Sequence, residues 1–308
     1  MAHAVLLRRS PTELQIGLDP SVVVPHTYEP LLRALGSEGP LAHLRTAAAR
    51  SGLTPDDVTE LVDALDAVDL IRRRPAAADA AVRVVGCGPL GARTAHELAT
   101  AGFERIYLVD LPGRPESTAP DRRRARVELL SASLRAAHPT LGVRRSRHVG
   151  EPEGDAVALT VVVADGPEPD RLVVDVLREQ GAPHLLVRCA GDEAVVGPLV
   201  VPGTTSCVRC ADLARRDADP RWPWLLEQLT RTVLPPDSLL LTWAGVTATV
   251  QAVAYVEAGR AETLGHTLEL GRPEHTLRLR RWAPHPECRC RLGVQGDRQR
   301  AGADVRRG

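Results

Sequence analysis

The sequence predicts an α/β protein in which a small winged helix-turn-helix domain precedes a Rossmann-type parallel sheet domain. Three short strand patterns and three helical patterns fill residues 1–74. From residue 81 onward, apolar strands alternate with helices, which is typical of a parallel sheet covered on both faces. A glycine-rich loop, GCGPLG at 86–91, follows the first of those strands. These patterns place the domains at residues 1–78 and 79–295, with a polar tail at 296–308 that is expected to be disordered.

Composition excludes several classes of protein. The 308 residues are 44% hydrophobic and 25% charged, which is ordinary for a soluble globular protein. The formal net charge is zero, so no global electrostatic attraction to nucleic acid or to an anionic membrane is expected. The longest apolar run, Leu239–Val256, is interrupted by threonine, glycine and glutamine and is interpreted as shorter than a membrane span. The N-terminus lacks a signal peptide pattern, so a cytoplasmic location is expected.

The N-terminal domain shows its elements in a simple order. The most distinct helix, Pro55–Val68, has Thr54 in position to cap it and Pro55 at its first position. The other predicted elements are strands over Val5–Arg9, Glu13–Leu18 and Ser21–Val24 and helices over Tyr28–Leu35 and Pro40–Ser51. Residues 75–80 (PAAADA) are interpreted as a linker.

The glycine loop predicts a nucleotide-type site. Gly86, Gly88 and Gly91 lie between an apolar strand and a helix, where the first helical amides can face a phosphate. Asp110 ends the next strand, where a carboxylate can bind ribose hydroxyls. The alternative is that these glycines only permit tight packing between strand and helix.

Four cysteines form two local pairs. Cys207 and Cys210 make a Cys-x-x-Cys, and Cys288 and Cys290 make a Cys-x-Cys about 80 residues later. Four thiolates delivered in this way suit a closed, tetrahedral structural zinc site. A redox pair or two disulfides are the alternatives, and His285 is a substitute ligand if one cysteine is out of reach.

The glycine loop, Asp110, Asp165 after the strand VALTVVVAD and the two cysteine pairs together resemble the ThiF-like branch of the ubiquitin-activating-enzyme superfamily, over roughly residues 80–292. Enzymes of this family adenylate a carboxylate with ATP, and active members hold the triphosphate with asparagine, arginine, glutamine and lysine.

The sequence departs from the family at that phosphate clamp. The stretch after Asp110 is short, and the whole chain has neither lysine nor asparagine. Arg126 falls at the position of the family's lysine, and Asp165 remains as a possible magnesium ligand. The resemblance therefore predicts a vestigial nucleotide pocket made of Gly86, Gly88, Gly91, Asp110, Arg126 and Asp165, with no catalytic residue and no use of ATP.

A winged helix before a ThiF-like domain resembles two groups of proteins that mature ribosomally synthesised peptides (RiPPs). One is the adenylating enzyme of the microcin C type. The other is the non-adenylating ThiF-like, leader-peptide-binding partner protein of azole-forming and thiopeptide pathways. In both groups the small domain captures the leader of the precursor peptide. In the second, the protein presents the precursor to a separate YcaO-type cyclodehydratase, which forms azoline and azole rings.

The third helix of the N-terminal domain argues against DNA as its ligand. It carries six acidic residues and no basic residue before Arg72, so it would repel phosphates. A peptide can instead add as a strand beside Ser21–Val24. On that hypothesis the binding residues are Val22, Val23 and Val24, through their backbone, together with Leu61 and Leu65.

The resulting hypothesis is a non-catalytic protein that binds a leader peptide and a cyclodehydratase, contains structural zinc and is compatible with a homodimer. The alternative is an ATP-dependent adenylating enzyme acting on the C-terminus of a peptide or carrier protein. A winged-helix transcriptional regulator is the third candidate.

Overall fold

A computed structural model describes residues 5–36, 41–68, 70, 76–110, 120–151, 156–164, 166–232 and 234–291. The chain divides into two compact units, Met1–Pro75 and Ala76–Gly308. Two positions singled out in the sequence, Asp165 and the tail at 296–308, lie outside the described residues.

The first unit joins a three-stranded antiparallel sheet to three helices. The sheet has the order β1-β2-β3, so β1 and β3 are its two edges. Helix α3 begins at a capping box, in which the Thr54 hydroxyl accepts from the Asp57 amide and the Asp57 carboxylate accepts from the Thr54 amide. The elements are β1 (Leu6–Arg8), β2 (Glu13–Ile16), β3 (Val22–Pro25), α1 (Glu29–Gly36), α2 (Leu41–Arg50) and α3 (Pro55–Ala67). Both the number and the order of these elements agree with the sequence patterns, and the winged-helix assignment itself stays a prediction.

The second unit is built on an eight-stranded sheet of order β11-β10-β9-β8-β7-β4-β5-β6. Strands β8, β7, β4, β5 and β6 are parallel, and β9, β10 and β11 extend the sheet antiparallel. The strands are β4 (Ala81–Val85), β5 (Arg105–Val109), β6 (Gly142–Arg145), β7 (Val157–Ala164), β8 (His184–Ala190), β9 (Glu193–Val200), β10 (His266–Gly271) and β11 (Thr276–Arg281). The predicted mixed α/β fold with a mainly parallel, Rossmann-like sheet is therefore confirmed.

Helices cover both faces of this sheet. Val84 and Val85 are adjacent on β4 and belong to different clusters, because successive strand residues point to opposite faces. The cluster of Val84 includes side chains of α5, α6 and α10, whereas that of Val85 includes side chains of α7. The helices are α4 (Ala76–Asp79), α5 (Pro89–Thr100), α6 (Pro120–Ala137), α7 (Arg171–Glu179), α8 (Val208–Ala218), α9 (Trp222–Leu229) and α10 (Ser238–Ala258).

The structure corrects several local expectations. The supposed linker at 75–80 contains the short helix α4, whose Ala77 and Ala78 are buried. Alanine-rich segments resemble linkers in composition, but here the small side chains allow close packing. The sequence pattern after Asp110 predicts a helix over Val127–Ala137, but helix α6 begins earlier, at Pro120. The elements β6, β9, α8 and α9 were not predicted.

Helix α10 also differs from the sequence interpretation. With 21 residues and a mean hydropathy of 1.5, it is long and apolar enough to cross a membrane. Its Leu240, Ala244 and Ala248 are buried in the main core of the second unit, so one face of the helix packs on the sheet domain. The same length and apolarity are found in core helices of globular domains.

Candidate nucleotide, metal and peptide sites

The glycine loop is held tightly between β4 and α5. Gly86 has a φ of 102°, and a Cβ there would lie 2.4 Å from the carbonyl oxygen of Val163. A Cβ on Gly91 would lie 1.8 Å from the carbonyl oxygen of Gly86. Glycine is therefore the residue that fits both positions. At Gly86 the loop therefore lies directly against β7, and at Gly91 the first turn of α5 lies directly against the loop.

The N-terminus of α5 is suited to bind an anion. Gly88 occupies the N-cap position and offers no capping side chain, and Pro89 opens the helix. The positive end of the helix dipole therefore faces the loop without a capping side chain, which favours a negative group in front of it. Gly86, Gly88 and Gly91 thus lie in one loop between β4 and α5, which we call the glycine cradle, and their role in binding a nucleotide stays a prediction.

Asp110 lies beside this cradle and is nearly buried, with 6% of its side chain exposed. Its Oδ1 accepts the amide of Cys87 at 3.1 Å. Its Oδ2 accepts Nε of Arg126 at 2.8 Å and lies 2.7 Å from the second guanidinium nitrogen. The structure therefore brings Asp110 and Arg126 together at the glycine loop, with the cation of Arg126 paired to the carboxylate.

A buried ionic cluster near the end of β7 was not foreseen. Arg171 donates to Glu168 at 2.7 Å and to Asp212 at 2.8 Å. Arg188 and Arg215 lie 3.7 and 3.8 Å from the Glu168 carboxylate. The side chain of Arg215 also lies between two indole rings, 4.9 Å from that of Trp222 and 4.5 Å from that of Trp282. No sequence spacing signals this cluster, because its charged members come from three separate stretches of the chain.

Electrostatics keep this cluster ionised. Burial alone would raise the pKa of Glu168, but the guanidinium groups of Arg188, Arg171 and Arg215 outweigh it and hold the pKa below its ordinary range. The pKa of Arg171 is raised because Asp212 and Glu168 stabilise its charge against the cost of burial. The cluster ties α7, β8 and α8 together at the side of the sheet domain.

The four paired cysteines converge on one point. The Sγ atoms of Cys207 and Cys288 are 3.6 Å apart, those of Cys210 and Cys290 are 3.6 Å apart, and those of Cys207 and Cys210 are 3.9 Å apart. Four sulfurs at about 2.3 Å from a tetrahedral zinc would be about 3.8 Å from one another. A disulfide would bring two of them to about 2.05 Å, so the geometry fits metal ligation and not disulfides.

Neighbouring contacts support these four as the ligand set. His285, the possible substitute ligand, uses Nε2 to bond Asp217 at 2.7 Å, while its Nδ1 accepts the amide of Glu287. Arg216 on α8 pairs with Glu287 at 3.0 Å. These contacts fix the segment of Cys288 and Cys290 against α8. Zinc bound here would be fully coordinated by sulfur and would stabilise the fold without an open position for a substrate.

The predicted peptide edge is exposed, although not at every residue. The amide of His26 donates to the carbonyl of Thr12, and the antiparallel register continues through Val24 opposite Leu14. Because hydrogen-bonded pairs alternate along such a ladder, Val22 and Val24 direct their backbone groups toward β2 and Val23 directs its groups outward. Val23 is also the most exposed of the three, at 41%, whereas Val24 is buried.

The two helical candidates have a different environment. Leu61 and Leu65 are 3% and 0% exposed and belong to the core of the first unit. They face this core because they are one helical turn apart on the apolar side of α3. In this structure their side chains are not available to a ligand, so the backbone of Val23 is the candidate that the geometry favours.

Comparison with known proteins was made with sequence and with structure. No family model matches the sequence, and no curated protein matches it. Among solved structures, E. coli MccB with ATP matches with a TM-score of 0.56 and 15% identity, over 93% of this chain and 97% of that chain. The microcin C7 biosynthetic enzyme MccB in complex with N-formylated MccA matches with a TM-score of 0.57 and 15% identity, over 94% and 97%.

The chain has a ThiF-like fold. A heterocyclase in complex with substrate and cofactor also matches, with a TM-score of 0.59 and 13% identity, over 94% of this chain but only 38% of that chain. The fold is thus shared with MccB and with this heterocyclase along nearly the whole of the present chain.

The prediction of a non-catalytic chain is wrong. MccB is an enzyme and binds ATP, and its fold matches this chain over 93% of the length. The expectation that ATP is not a cofactor loses its support for the same reason. The prediction from sequence assumed that a pocket without lysine and asparagine does not bind ATP. In the ThiF-like domain, however, the α5 cradle is intact and Arg126 supplies a cation beside it.

Proposed function

We propose that this chain is an ATP-dependent enzyme of RiPP biosynthesis that captures a precursor peptide with its first unit and activates a peptide carboxylate in its ThiF-like domain. The observation that carries the proposal is the glycine loop, with its uncapped helix, next to Asp110 and Arg126. The shared fold with MccB supports it.

In this proposal each residue of the pocket has a role. The amides at the start of α5 bind phosphate oxygens, and Asp110 accepts from the ribose hydroxyls. Arg126 is 36% exposed in its side chain, so its guanidinium can turn from Asp110 toward a phosphate and neutralise it. Bound ATP would supply the adenylyl group that activates the carboxylate. Asp165 remains a proposed magnesium ligand, and zinc remains a proposed structural ion held by Cys207, Cys210, Cys288 and Cys290.

Leader capture is assigned to the outer edge of β3, which pairs with no other strand among the described residues. The outward N–H and C=O of Val23 can pair with an extended peptide, which would become a fourth strand of the small sheet. The acidic surface of α3, with Asp56, Glu60 and Asp63 exposed, makes the same unit unsuited to DNA. The winged-helix domain is therefore proposed as a peptide-recognition element, acting in the cytoplasm.

Two measurements test this function. Purified protein is incubated with ATP, magnesium and a candidate precursor, and exchange of labelled pyrophosphate into ATP is followed. Exchange that requires the precursor supports the proposal, and its absence with a precursor that binds tightly would contradict the enzymatic part. Binding of a fluorescent leader peptide is measured separately by polarisation, so that capture and chemistry are judged independently.

A second candidate role is delivery of the precursor to a separate YcaO-type cyclodehydratase. The heterocyclase match favours it, because this chain corresponds to only 38% of that protein, and another chain could supply the remainder. Mixing this protein with a YcaO-type cyclodehydratase and precursor should then accelerate the loss of one water per azoline, as followed by mass spectrometry. A rate that is unchanged when this protein is omitted would contradict this role.

A further inference from the structure

Strand β11 forms one edge of the eight-stranded sheet. It stands at the end of the strand order and, among the described residues, pairs only with β10. All of its residues, Thr276–Arg281, are exposed. The exposed fractions of its two leucines are 57% for Leu277 and 55% for Leu279. An exposed edge of this kind presents backbone groups with which another chain can pair.

Hydrogen bonds at both ends of the β10–β11 hairpin show which backbone groups of β11 face outward. The amide of Trp282 donates to the carbonyl of Gly265 at 2.9 Å, so the backbone of Trp282 faces β10. At the other end, the amide of Arg272 donates to the carbonyl of Asp192 beside β9, which gives the same alternation. Every second residue of an antiparallel edge strand faces away from the sheet. The residues of β11 that direct N–H and C=O groups outward are Leu277, Leu279 and Arg281.

The side chains of β11 form two different faces, because successive residues of a strand point to opposite sides. Leu277 and Leu279 lie on one face, opposite two leucines of β10, and make it apolar. Arg278 and Arg280 lie on the other face and make it basic. A strand that paired with β11 would therefore meet an apolar face and a basic face in alternation.

The arginines make this edge electropositive. Arg280 lies 2.9 Å from Glu269, but its side chain is 53% exposed and can accept a second carboxylate. Arg278 and Arg281 form no ion pair within the described part of the chain. An acidic segment would complement these side chains, since opposite charges on neighbouring strands stabilise their pairing.

Charge also distinguishes the possible occupants of the edge. A second copy of β11 would bring the arginines of two strands close together, which is unfavourable. Residues 292–308 of the same chain contain four arginines and two aspartates, so this segment is basic as well. An acidic segment of another protein meets no such repulsion, and the arginines select for it.

We propose that the outer edge of β11 binds an extended acidic segment of a partner protein, which adds to the sheet as a further strand. The segment runs antiparallel to β11, because antiparallel pairing is the more stable per residue. Its side chains are apolar opposite Leu277 and Leu279 and acidic opposite Arg278, Arg280 and Arg281. From its N-terminus the segment is therefore acidic, acidic, apolar, acidic, apolar and polar. This proposal does not depend on the enzymatic function.

The first test compares two fluorescent peptides, each with blocked termini, in polarisation titrations with the full chain. The peptide EEVEVT follows the required alternation, and the peptide VVTEEE has the same composition and charge without it. EEVEVT should bind at least about fivefold more tightly, because most cross-strand pairs of VVTEEE are mismatched. Equal binding of the two peptides, weakened alike by salt, would overturn the proposal and assign the edge to general attraction of anions.

The second test reverses one charge at the edge. Arg278→Glu should weaken EEVEVT binding about 3- to 30-fold, because an attractive cross-strand pair becomes a repulsive one. Arg147→Glu is the matched control, since Arg147 is exposed just after β6, the opposite edge of the sheet, and the net charge of the chain changes equally. It should bind EEVEVT as wild type does. An equal effect of the two substitutions would contradict a site at β11.

A third test removes one outward backbone donor. Leu279→Pro lacks an N–H that does not pair with β10, and it should weaken EEVEVT binding about fivefold to tenfold. Leu279→Val keeps the N–H and an apolar side chain, and it should bind within about twofold of wild type. Thermal unfolding checks that both variants are folded. Equal affinities of the two folded variants would exclude pairing through the backbone of this strand.

Hydrogen exchange locates the bound peptide on the wild-type chain. In the absence of peptide the outward amides of Leu277, Leu279 and Arg281 face solvent and should exchange rapidly. Bound EEVEVT should slow the exchange of these three amides, whereas the amides that already pair with β10 change little. Protection of another segment, with none in Thr276–Arg281, would overturn the proposal. Protection of the same amides by a rise in protein concentration alone would assign the edge to a second copy instead.

Discussion

The guanidinium of Arg126 lies 2.7 Å from the carboxylate of Asp110, and the same carboxylate accepts the amide of Cys87 in the glycine loop. Asp110 thus links the glycine loop to α6. In the proposed function a bound nucleotide would compete for both partners, because its ribose would take the carboxylate and its phosphates would take the guanidinium. Nucleotide binding would then break this ion pair.

Replacing Arg126 tests its role in nucleotide binding. Arg126→Ala should weaken ATP binding about 10- to 100-fold, since a charge-assisted hydrogen bond contributes about 1.5–3 kcal/mol. Isothermal titration calorimetry measures the affinity. Arg124→Ala on the same helix is the control, because Arg124 pairs with the exposed Glu128 and not with Asp110. Unchanged ATP affinity in Arg126→Ala would remove Arg126 from the site.

A proline at position 23 tests strand addition. Val23→Pro removes an N–H that points away from β2, so the β2–β3 ladder should persist. Leader affinity should fall about fivefold to tenfold, the effect of one lost hydrogen bond. Val23→Ala keeps the N–H and should bind within about twofold of wild type if the backbone dominates. Equal affinities of the proline and alanine variants in fluorescence polarisation would argue against a backbone-paired peptide.

Removing one cysteine of the cluster tests the metal site. Cys210→Ser should lower the zinc content from about one per chain to near zero and lower the unfolding temperature, because metal binding contributes to folding free energy. Elemental analysis and thermal unfolding report the two effects. Cys189→Ala, at a buried position on β8 outside the cluster, should lose stability but keep zinc. Full zinc content in well-folded Cys210→Ser would contradict the assignment.

His184 predicts a specific pH dependence of stability. The ring is fully buried, Nδ1 lies 2.9 Å from the carbonyl oxygen of Ala182, and Nε2 has no partner within the described parts of the chain. Burial lowers its pKa to about 4, from an ordinary value of about 6.5. Between these values the unfolded chain binds the proton and the folded chain does not, so folding stability falls as pH drops from about 6.5 to about 4, by about 3 kcal/mol.

The variant His184→Leu should lose the part of the pH dependence of folding stability that comes from this ring. The difference between its unfolding free energy and that of wild type, measured with urea at several pH values, should change across that window and be constant above it. A constant difference for His184→Leu across the whole pH range would contradict this prediction, because it would show that the buried ring titrates alike in the folded and the unfolded chain.

The glycine cradle gives a direct steric prediction. Gly91→Ala would place a Cβ 1.8 Å from the Gly86 carbonyl oxygen, so the loop must move. We expect a clear loss of stability, of about 1–3 kcal/mol as for overpacking, and a loss of ATP binding. Gly271→Ala is matched to it, because that position is open and needs no positive φ. Equal stability of the two variants in urea unfolding would contradict the tight packing of this loop.

Much of the architecture was predictable from the sequence. Hydrophobic periodicity located β4, β5 and β7, and the Thr54–Asp57 capping pattern located the start of α3. The positions of Gly86 and Asp110 followed from the order of strand, loop and helix. The cysteine cluster was predictable because each closely spaced pair of cysteines can provide two metal ligands from one short segment.

Other features depend on contacts that no local pattern records. The Glu168 cluster joins residues more than 40 positions apart, and the Arg171–Asp212 pair is one example. Leu61 and Leu65 have the same apolar pattern whether they face a ligand or their own core, so only packing decides between the two. The prediction that the chain is not an enzyme failed because it rested on the absence of lysine and asparagine. The absence of a lysine does not show where the side chain of Arg126 lies.

The cysteine cluster has a consequence for the order in which the chain assembles. Cys207 and Cys288 are separated by 81 positions, and α9, α10, β10 and β11 all lie between them. On a ribosome the first thiol pair is exposed long before the second is made, so the closed site cannot form until the last hairpin has been synthesised. Metal binding would then be the last step that stabilises the ThiF-like domain, and zinc scarcity would leave the segment of Cys288 and Cys290 without its metal link to Cys207 and Cys210.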